Sequence, residues 1–337
     1  MLILKAKRKN EHGAALVLAI LIVGIVTALA VKFSLSFILN STRAENRLYG
    51  SQAQSYLLGA EILAGVILEQ DAEESATDNL SEVWAQDAPP FPTDDGLLEA
   101  KLEDALGRLN LNSLDGSVGA NSNLNNIPAL RFTPQQRRFI RLLQIFEEPA
   151  LTEDEAIEIT EAVIDWIDKD DDASGFGGAE SLFYSGEEPP YQAANAPFSS
   201  VSELRLVRHM TPELYQQLEP LLVALPENTD LNVNTALPAL LRTLNNPTSL
   251  LPLEEEEIES LLEDRELQQY ETVNDFFNNP LVQTLAPDLE PAGFGVESNY
   301  FILHAKASVG DQERFLQSYL FRDDKKLRTL RRRYTSY

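Results

Sequence analysis

An uninterrupted apolar run of 18 residues, Ala14 to Val31, follows directly on a basic N-terminus. After Lys32 it resumes as Phe33 to Leu39. About 20 apolar residues span a bilayer as a helix, so the run predicts an anchor at one end of the chain. Before it stand Lys5, Lys7, Arg8 and Lys9 against one acid, Glu11. Such a basic segment stays on the cytoplasmic side, which puts the C-terminal bulk across the membrane. An ordinary secretory signal has an apolar core of about 7–15 residues, then a small-residue cleavage site. Here the apolar run is longer and begins after Gly13. A cut after Gly13 leaves the helix on the mature protein; the alternative is a plain single-pass anchor without processing.

The remaining body has room for one large domain or two ordinary ones. Its charge narrows the choice of partners. The 337-residue chain carries −26, and loss of a leader of net +3 would leave −29. A body this acidic repels nucleic acid and anionic lipid and attracts divalent cations and basic partners. Cys is absent, which excludes disulfides, thiol chemistry and zinc sites built on Cys, and makes a structural metal an attractive staple. The three His, at 12, 209 and 304, sit in no ligand-like spacing.

The apolar helix is expected to continue through Ser41–Leu68, with Leu48, Tyr56, Leu57, Ile62, Leu63, Val66 and Ile67 as its apolar face. Asp71 to Asp95, with prolines at 89, 90 and 92, reads as a connection. Gly96–Leu111 alternates as a strand, and Leu114–Asn126 reads as a loop. From Thr133 the pattern is helical for more than 100 residues. Thr133-Pro134 and Thr211-Pro212 are caps followed by Pro; Thr152 with Glu155, and Ser200 with Glu203, are capping boxes. Glu254–Gln269 adds another helix. Tyr300–Val309 and Arg314–Arg322 alternate around a turn, an antiparallel hairpin. The basic tail after Arg322 reads as solvated, with contact to an acidic partner as the alternative. Leu109-Asn110-Leu111-Asn112-Ser113 is echoed by Leu231-Asn232-Val233-Asn234-Thr235; five residues support turn chemistry rather than a repeat.

The sharpest chemical signal lies between Glu153 and Glu188, which hold 13 Asp or Glu and one basic residue, Lys169. Asp165, Asp168, Asp170, Asp171, Asp172 and Glu180 surround Gly175-Phe176-Gly177-Gly178. Crowded carboxylates repel unless a cation neutralises them, and Ca²⁺ takes about six to eight oxygens in flexible geometry. An EF-hand pattern fits from Asp170 to Gly175, but its closing Glu should stand at Ser181 and Glu180 comes one residue early. A different Ca²⁺ loop, or a solvated acidic loop, are the two readings.

Taken together, these segments resemble the minor pseudopilin K family of the bacterial type II secretion system. The resemblance rests on the leader with Gly13, on Val163-Ile164-Asp165-Trp166-Ile167-Asp168 and its Gly-rich sequel, and on Pro189-Pro190-Tyr191-Gln192-Ala193-Ala194-Asn195. Ser199–Arg205, Leu231–Ala236 and Asn110–Asn112 add to it. It implies an α+β pilin-like fold: a leader over 1–13 removed by prepilin peptidase, and a transmembrane helix over 14–39. A small antiparallel sheet domain would be built from 40–120 and 281–337, with a helical domain inserted over 121–280. It implies N-methylation of Ala14, an inner-membrane anchor with a periplasmic body, and structural calcium with Asp165, Asp168, Asp170, Asp172 and Glu180 as candidate ligands. It also implies a non-enzymatic role at the tip of a periplasmic filament, in a complex with minor pseudopilins I and J, with pseudopilin H as a further candidate partner and no nucleic-acid partner.

Leu18 bears on that placement. It is the fifth residue after Gly13, where most pilins carry a Glu thought to pair with a neighbour's N-terminal amine inside the membrane. A buried charge needs its partner, so a subunit without that Glu cannot receive another above it. Two other functions share parts of the pattern. A minor pilin of a type IV pilus shares the leader. A membrane-anchored hydrolase could use paired carboxylates, but no nucleophile motif accompanies them.

Overall fold

The computed structural model describes residues 12–116, 127–323 and 326–335. Residues 1–11 of the leader and most of the Leu114–Asn126 loop lie outside them. One helix, α1 (His12–Glu74), carries the apolar run and continues 35 residues past Leu39. At 1.5 Å per residue it is about 95 Å long. Strands β1 (Phe91–Thr93) and β2 (Gly96–Asp104) follow. The chain then enters a block of short elements: β3 (Leu109–Asn110), α2 (Pro134–Leu143), α3 (Glu153–Ile167), α4 (Ser181–Tyr184) and α5 (Pro212–Leu218). Next come β4 (Leu222–Val223), β5 (Leu231–Asn232), α6 (Pro238–Leu241), α7 (Glu255–Leu267), α8 (Val273–Asn278), α9 (Pro280–Leu285) and β6 (Phe294–Gly295). It leaves through β7 (Tyr300–Val309), β8 (Gln312–Asp323) and β9 (Lys326–Thr335).

The alternation read in Tyr300–Val309 places one face of β7 against α1. The sheet order is β1-β2-β7-β8-β9, antiparallel throughout. Phe301, Leu303, Ala305, Ala307 and Val309 meet Ala53, Leu57, Ala60, Ala64 and Leu68 of the helix in one buried cluster. Three of the five helix residues are Ala, and such small side chains let the helix approach the sheet closely. This corrects the expected helix face. Leu57 is buried, but Leu48, Ile62, Leu63 and Val66 point outward and are more than half exposed. Tyr56, Leu57 and Ile67 of the expected face do pack on the sheet cluster, so the expected face is split rather than reversed.

The expected solvated tail is instead β9, hydrogen-bonded along β8 with a bulge at Tyr319/Leu320. Glu61, buried on α1, secures it. Its carboxylate accepts from Ser318 (2.6 Å), Thr329 (2.8 Å) and Arg332 (2.6 Å). Burial alone would raise the Glu61 pKa; these donors outweigh it and hold the group ionised.

The long helical stretch read from Thr133 is interrupted more often than its pattern suggested. Thr133 and Thr152 form the expected capping boxes. Ser200 and Glu203 also form one, but it opens a 3₁₀ turn over Val201–Leu206. A separate core, running in sequence from Leu109 to Val296, holds this block together. It extends beyond 121–280 on both sides.

The two Asn echoes fold alike. In each, the first Asn accepts from the backbone N–H two residues on: Asn110 from Asn112 (3.2 Å), Asn232 from Asn234 (3.0 Å). In each, the second Asn clamps a distant backbone through both amide ends, Asn112 at Phe198 and Asn234 at Tyr270. Each copy also opens a short parallel pair, β3 with β4 and β5 with β6. What read as turn chemistry is one device used twice to tie loops to the core.

Candidate metal centre

Helix α3 is capped with the right charges at one end and the wrong ones at the other. Glu153, Asp154 and Glu155 fill its first turn, where acids favour the helix dipole. Its last turn holds no base. Instead Asp165 lies in that turn and Asp168 forms the C-cap, next to the negative end of the dipole. The following loop folds back on the helix. Gly175 takes φ +65°, open to Gly at no cost, and a Cβ there would strike the Glu161 carboxylate. A Cβ at Gly178 would come within 2.4 Å of Asp165 Oδ2. Only glycine lets this loop run against the acids and bring Glu180 to them.

The result gathers Asp165, Asp168 and Glu180, with one carboxylate oxygen of each within 4.8 Å of the others. Asp165 is fully buried and accepts the Ser174 N–H at 3.0 and 3.1 Å. Asp168 Oδ1 and both Glu180 oxygens are buried without any hydrogen-bond partner among the described residues. A buried acceptor left unpaired costs about 1–3 kcal/mol, more if charged. Burial raises all three pKa values. Asp168 stands at about 6, pushed further by Asp170, Asp165 and Asp115. Glu180 stands at about 7, pushed further by Asp165, Asp168, Asp171 and Asp170. Lys169 is exposed and forms no ion pair among the described residues. Unpaired oxygens, mutual repulsion and the lack of an ion pair to the triad among the described residues make a set that could hold a divalent cation such as Ca²⁺.

Of the five candidate ligands, Asp165, Asp168 and Glu180 converge. Asp170 and Asp172 are exposed beside them, and Asp170 Oδ1 accepts the Asp172 N–H at 3.0 Å. One candidate was missed as a ligand although its motif was noted. Asn195 sits at φ 45° with its Oδ1 buried and unpartnered, and its Nδ2 donates to the Asp170 carbonyl at 3.0 Å. The signal was the Asn at the end of Pro189–Asn195. Trp166 and Tyr191 of the same motifs pack with Tyr184 and Phe198 in one aromatic cluster. Trp166 meets Tyr184 edge-on at 5.3 Å, Tyr184 stacks on Tyr191 at 5.1 Å, and Phe198 stacks on Trp166 at 6.4 Å.

Two family models, both described as type II secretion system (T2SS), protein K, match residues 107–227 and 231–297. The curated type II secretion system protein K of Aeromonas hydrophila is 33% identical over 335 residues, covering 96% of this chain and 97% of that protein. The chain belongs to the type II secretion system protein K family. Its relative in Pseudomonas aeruginosa is 30% identical over 334 residues, covering 96% of this chain and 93% of that one. A chain in the crystal structure of the GspK–GspI–GspJ complex from enterotoxigenic Escherichia coli superposes with a TM-score of 0.72 at 25% identity. It covers 88% of this chain and 100% of that chain. The two model matches divide at residues 228–230, just before the second Asn echo.

Neither His209 nor His304 stands in a nucleophile–base arrangement. His209 faces Glu158 at 3.7 Å and His304 faces Glu103 at 3.5 Å. Leu18 lies on α1 in a segment that is 0% buried by the rest of the chain and long and apolar enough to cross a membrane.

Proposed function

We propose that this protein is a non-enzymatic minor pseudopilin that initiates and caps the tip of the periplasmic pseudopilus, in a complex with minor pseudopilins I and J. Its full-length similarity to protein K, one relative of which was solved together with GspI and GspJ, carries the reading. Two features support it. Leu18 offers no carboxylate to a subunit above. The outward face of α1 (Leu48, Ile62, Leu63 and Val66) is free of this chain's own sheet and available to partner helices. Prepilin peptidase would cut after Gly13 and leave Ala14 as the methylated N-terminus, with the basic leader cytoplasmic and the body periplasmic. The acidic body argues against nucleic-acid contact.

Calcium belongs to the same proposal. Asp165, Asp168 and Glu180 would hold one ion, with Asn195 as a neutral oxygen beside them. The ion supplies the positive charge that the end of α3 lacks and so fixes the loop to the helix.

Co-expression with soluble pseudopilins I and J, followed by size exclusion, should give one ternary peak. Separate elution of the three proteins would overturn the tip assignment. Intact mass from cells containing the peptidase should show loss of residues 1–13 and gain of one methyl group; a retained leader would overturn the processing.

A further inference from the structure

A broad cleft of about 1090 Å³ separates the outer face of the sheet from the helical block. Its charge is opposite to that of the carboxylate centre. Seven Lys or Arg line it against three Asp or Glu, in a chain of net −26. Four of the seven are already answered: Lys101 and Arg108 by Glu103, Lys306 by Glu313, and Arg332 by Glu61. Arg205, Arg331 and Arg333 have no carboxylate within 4.0 Å among the described residues, and all three are exposed.

These three are held in place. Arg331 and Arg333 project from the same face of β9, opposite Tyr319 and Gln317 of β8. The Arg331 guanidinium lies 4.3 Å from the Tyr319 ring centre and donates to the Ser199 carbonyl at 2.5 Å. That bond ties the edge strand to the helical block across the cleft. Arg205 lies 5.6 Å from the Tyr215 ring centre on the facing wall. Burial and Glu219 push the Tyr215 phenol up, while Arg205 and Arg333 pull it back, so both cations stand near it. Stacked guanidinium groups keep their N–H edges free for planar acceptors. Tyr215, Tyr319 and Phe315 supply apolar surface between the charges.

We infer that this cleft is a docking site for a short acidic segment of a partner protein, bound through Arg205, Arg331 and Arg333. Charge complementarity selects the occupant: three unanswered guanidinium groups fit Asp and Glu carboxylates, and the aromatic floor fits the carbon between them. A long polyanion is opposed by the acidic body around the cleft.

The test uses the full-length chain in nonionic detergent and a fluorescent ten-residue peptide of alternating Glu and Ala, read by anisotropy. Wild type should bind with a salt-sensitive micromolar Kd, and Arg205→Gln with Arg333→Gln should weaken binding at least tenfold. Arg43→Gln with Arg47→Gln, the same charge change on the membrane-proximal helix, should leave it unchanged. No binding, or equal loss in both variants, overturns the proposal. Displacement by inorganic phosphate at the peptide's carboxylate concentration also overturns it, in favour of a simple anion site. A folding defect in the Arg variant does not block the test. The chain has no Cys, so Ser202→Cys carrying a benzophenone should crosslink the peptide from the cleft wall, and absence of a crosslink is a negative result.

Discussion

Asp71, Asp78 and Glu82 form one carboxylate triad; Asp165, Asp168 and Glu180 form another of the same span, each with its oxygens within 4.8 Å. The first is answered by the chain itself. Arg322 bridges Asp71 at 3.0 Å and Asp78 at 2.5 and 2.7 Å, and Glu82 accepts from Asn79 N–H and Trp84 Nε1. The second has no such cation, and three of its oxygens have no donor. The difference separates two uses of one charge pattern. At the junction of helix, sheet and helical block, the counter-charge is the chain's own Arg322. At the loop after α3 no described Lys or Arg supplies it, and the proposed cation would.

The largest effect should follow from breaking the first triad. Removing one partner of a buried ion pair costs about 3–5 kcal/mol. Arg322 is also stacked 4.9 Å from the Phe301 ring and donates to the Ser298 carbonyl at 2.7 Å. Arg322→Met should therefore lower stability in urea unfolding by about that amount, with no rescue by Ca²⁺. A loss under about 1 kcal/mol would mean that the surrounding hydrogen bonds, not Arg322, close the junction.

Next in size is the calcium response. At 100-fold excess over Kd a ligand stabilises by about 2.7 kcal/mol. Asp165→Asn with Glu180→Gln should abolish the rise in melting temperature with Ca²⁺ and, by relieving repulsion, should not lower the metal-free value. Asp170→Ala with Asp172→Ala, outside the converged triad, should keep most of the rise. Loss of the response in the second variant and its retention in the first would move the site onto the exposed acids.

The pH dependence sharpens the comparison further. Glu180 at about 7 and Asp168 at about 6 sit above their ordinary values through burial and neighbouring acids. Each keeps its proton in the metal-free fold after the unfolded chain has lost it. That contribution is complete below about pH 4 and disappears as pH rises through 6 and 7. Burial also holds Asp78 at about 7, even against Arg322, so the first triad adds a slope of the same sign. Metal-free melting temperature should fall from pH 5 to pH 8. Saturating Ca²⁺ should flatten only the part due to the second triad, because bound metal requires deprotonated carboxylates. A slope untouched by Ca²⁺ would assign it to the other acids that burial raises, Asp71, Asp78, Asp104, Glu161 and Asp230.

Much of this contrast was legible in the sequence, and the missing parts have physical causes. The acids around Gly175–Gly178 were visible because they are local: a helix end, a glycine turn and a return. The first triad was not, because Arg322 lies 244 residues from Asp78 and nothing in the local pattern of either announces the other. The hairpin of β7 and β8 declared itself by alternation. Strand β9 did not, since Lys326, Arg328, Arg331, Arg332 and Arg333 hide its period; charged side chains on an edge strand guard against stray pairing. The inner face of α1 was obscured for the opposite reason, since its Ala residues carry little hydrophobic signal beside the larger outward residues.

The smallest effect tests whether the second triad ends at three carboxylates. Asn195, whose Nδ2 donates to the Asp170 carbonyl, holds a buried, unpartnered Oδ1 at a left-handed φ of 45°. Asn→Ala there would mix two losses, the oxygen and the strain of a Cβ residue lacking the Asn side chain's local bonds. Asn195→Gly removes the oxygen and keeps the backbone allowed. If the amide oxygen completes the cation's shell, Ca²⁺ affinity measured by calorimetry should fall about tenfold, which is about 1.4 kcal/mol. The pH slope of the metal-free protein should not change, since no titrating group is lost. If affinity holds and only the metal-free melting temperature drops, the role of Asn195 ends at its bond to the Asp170 carbonyl, and the carboxylates bind the ion without it.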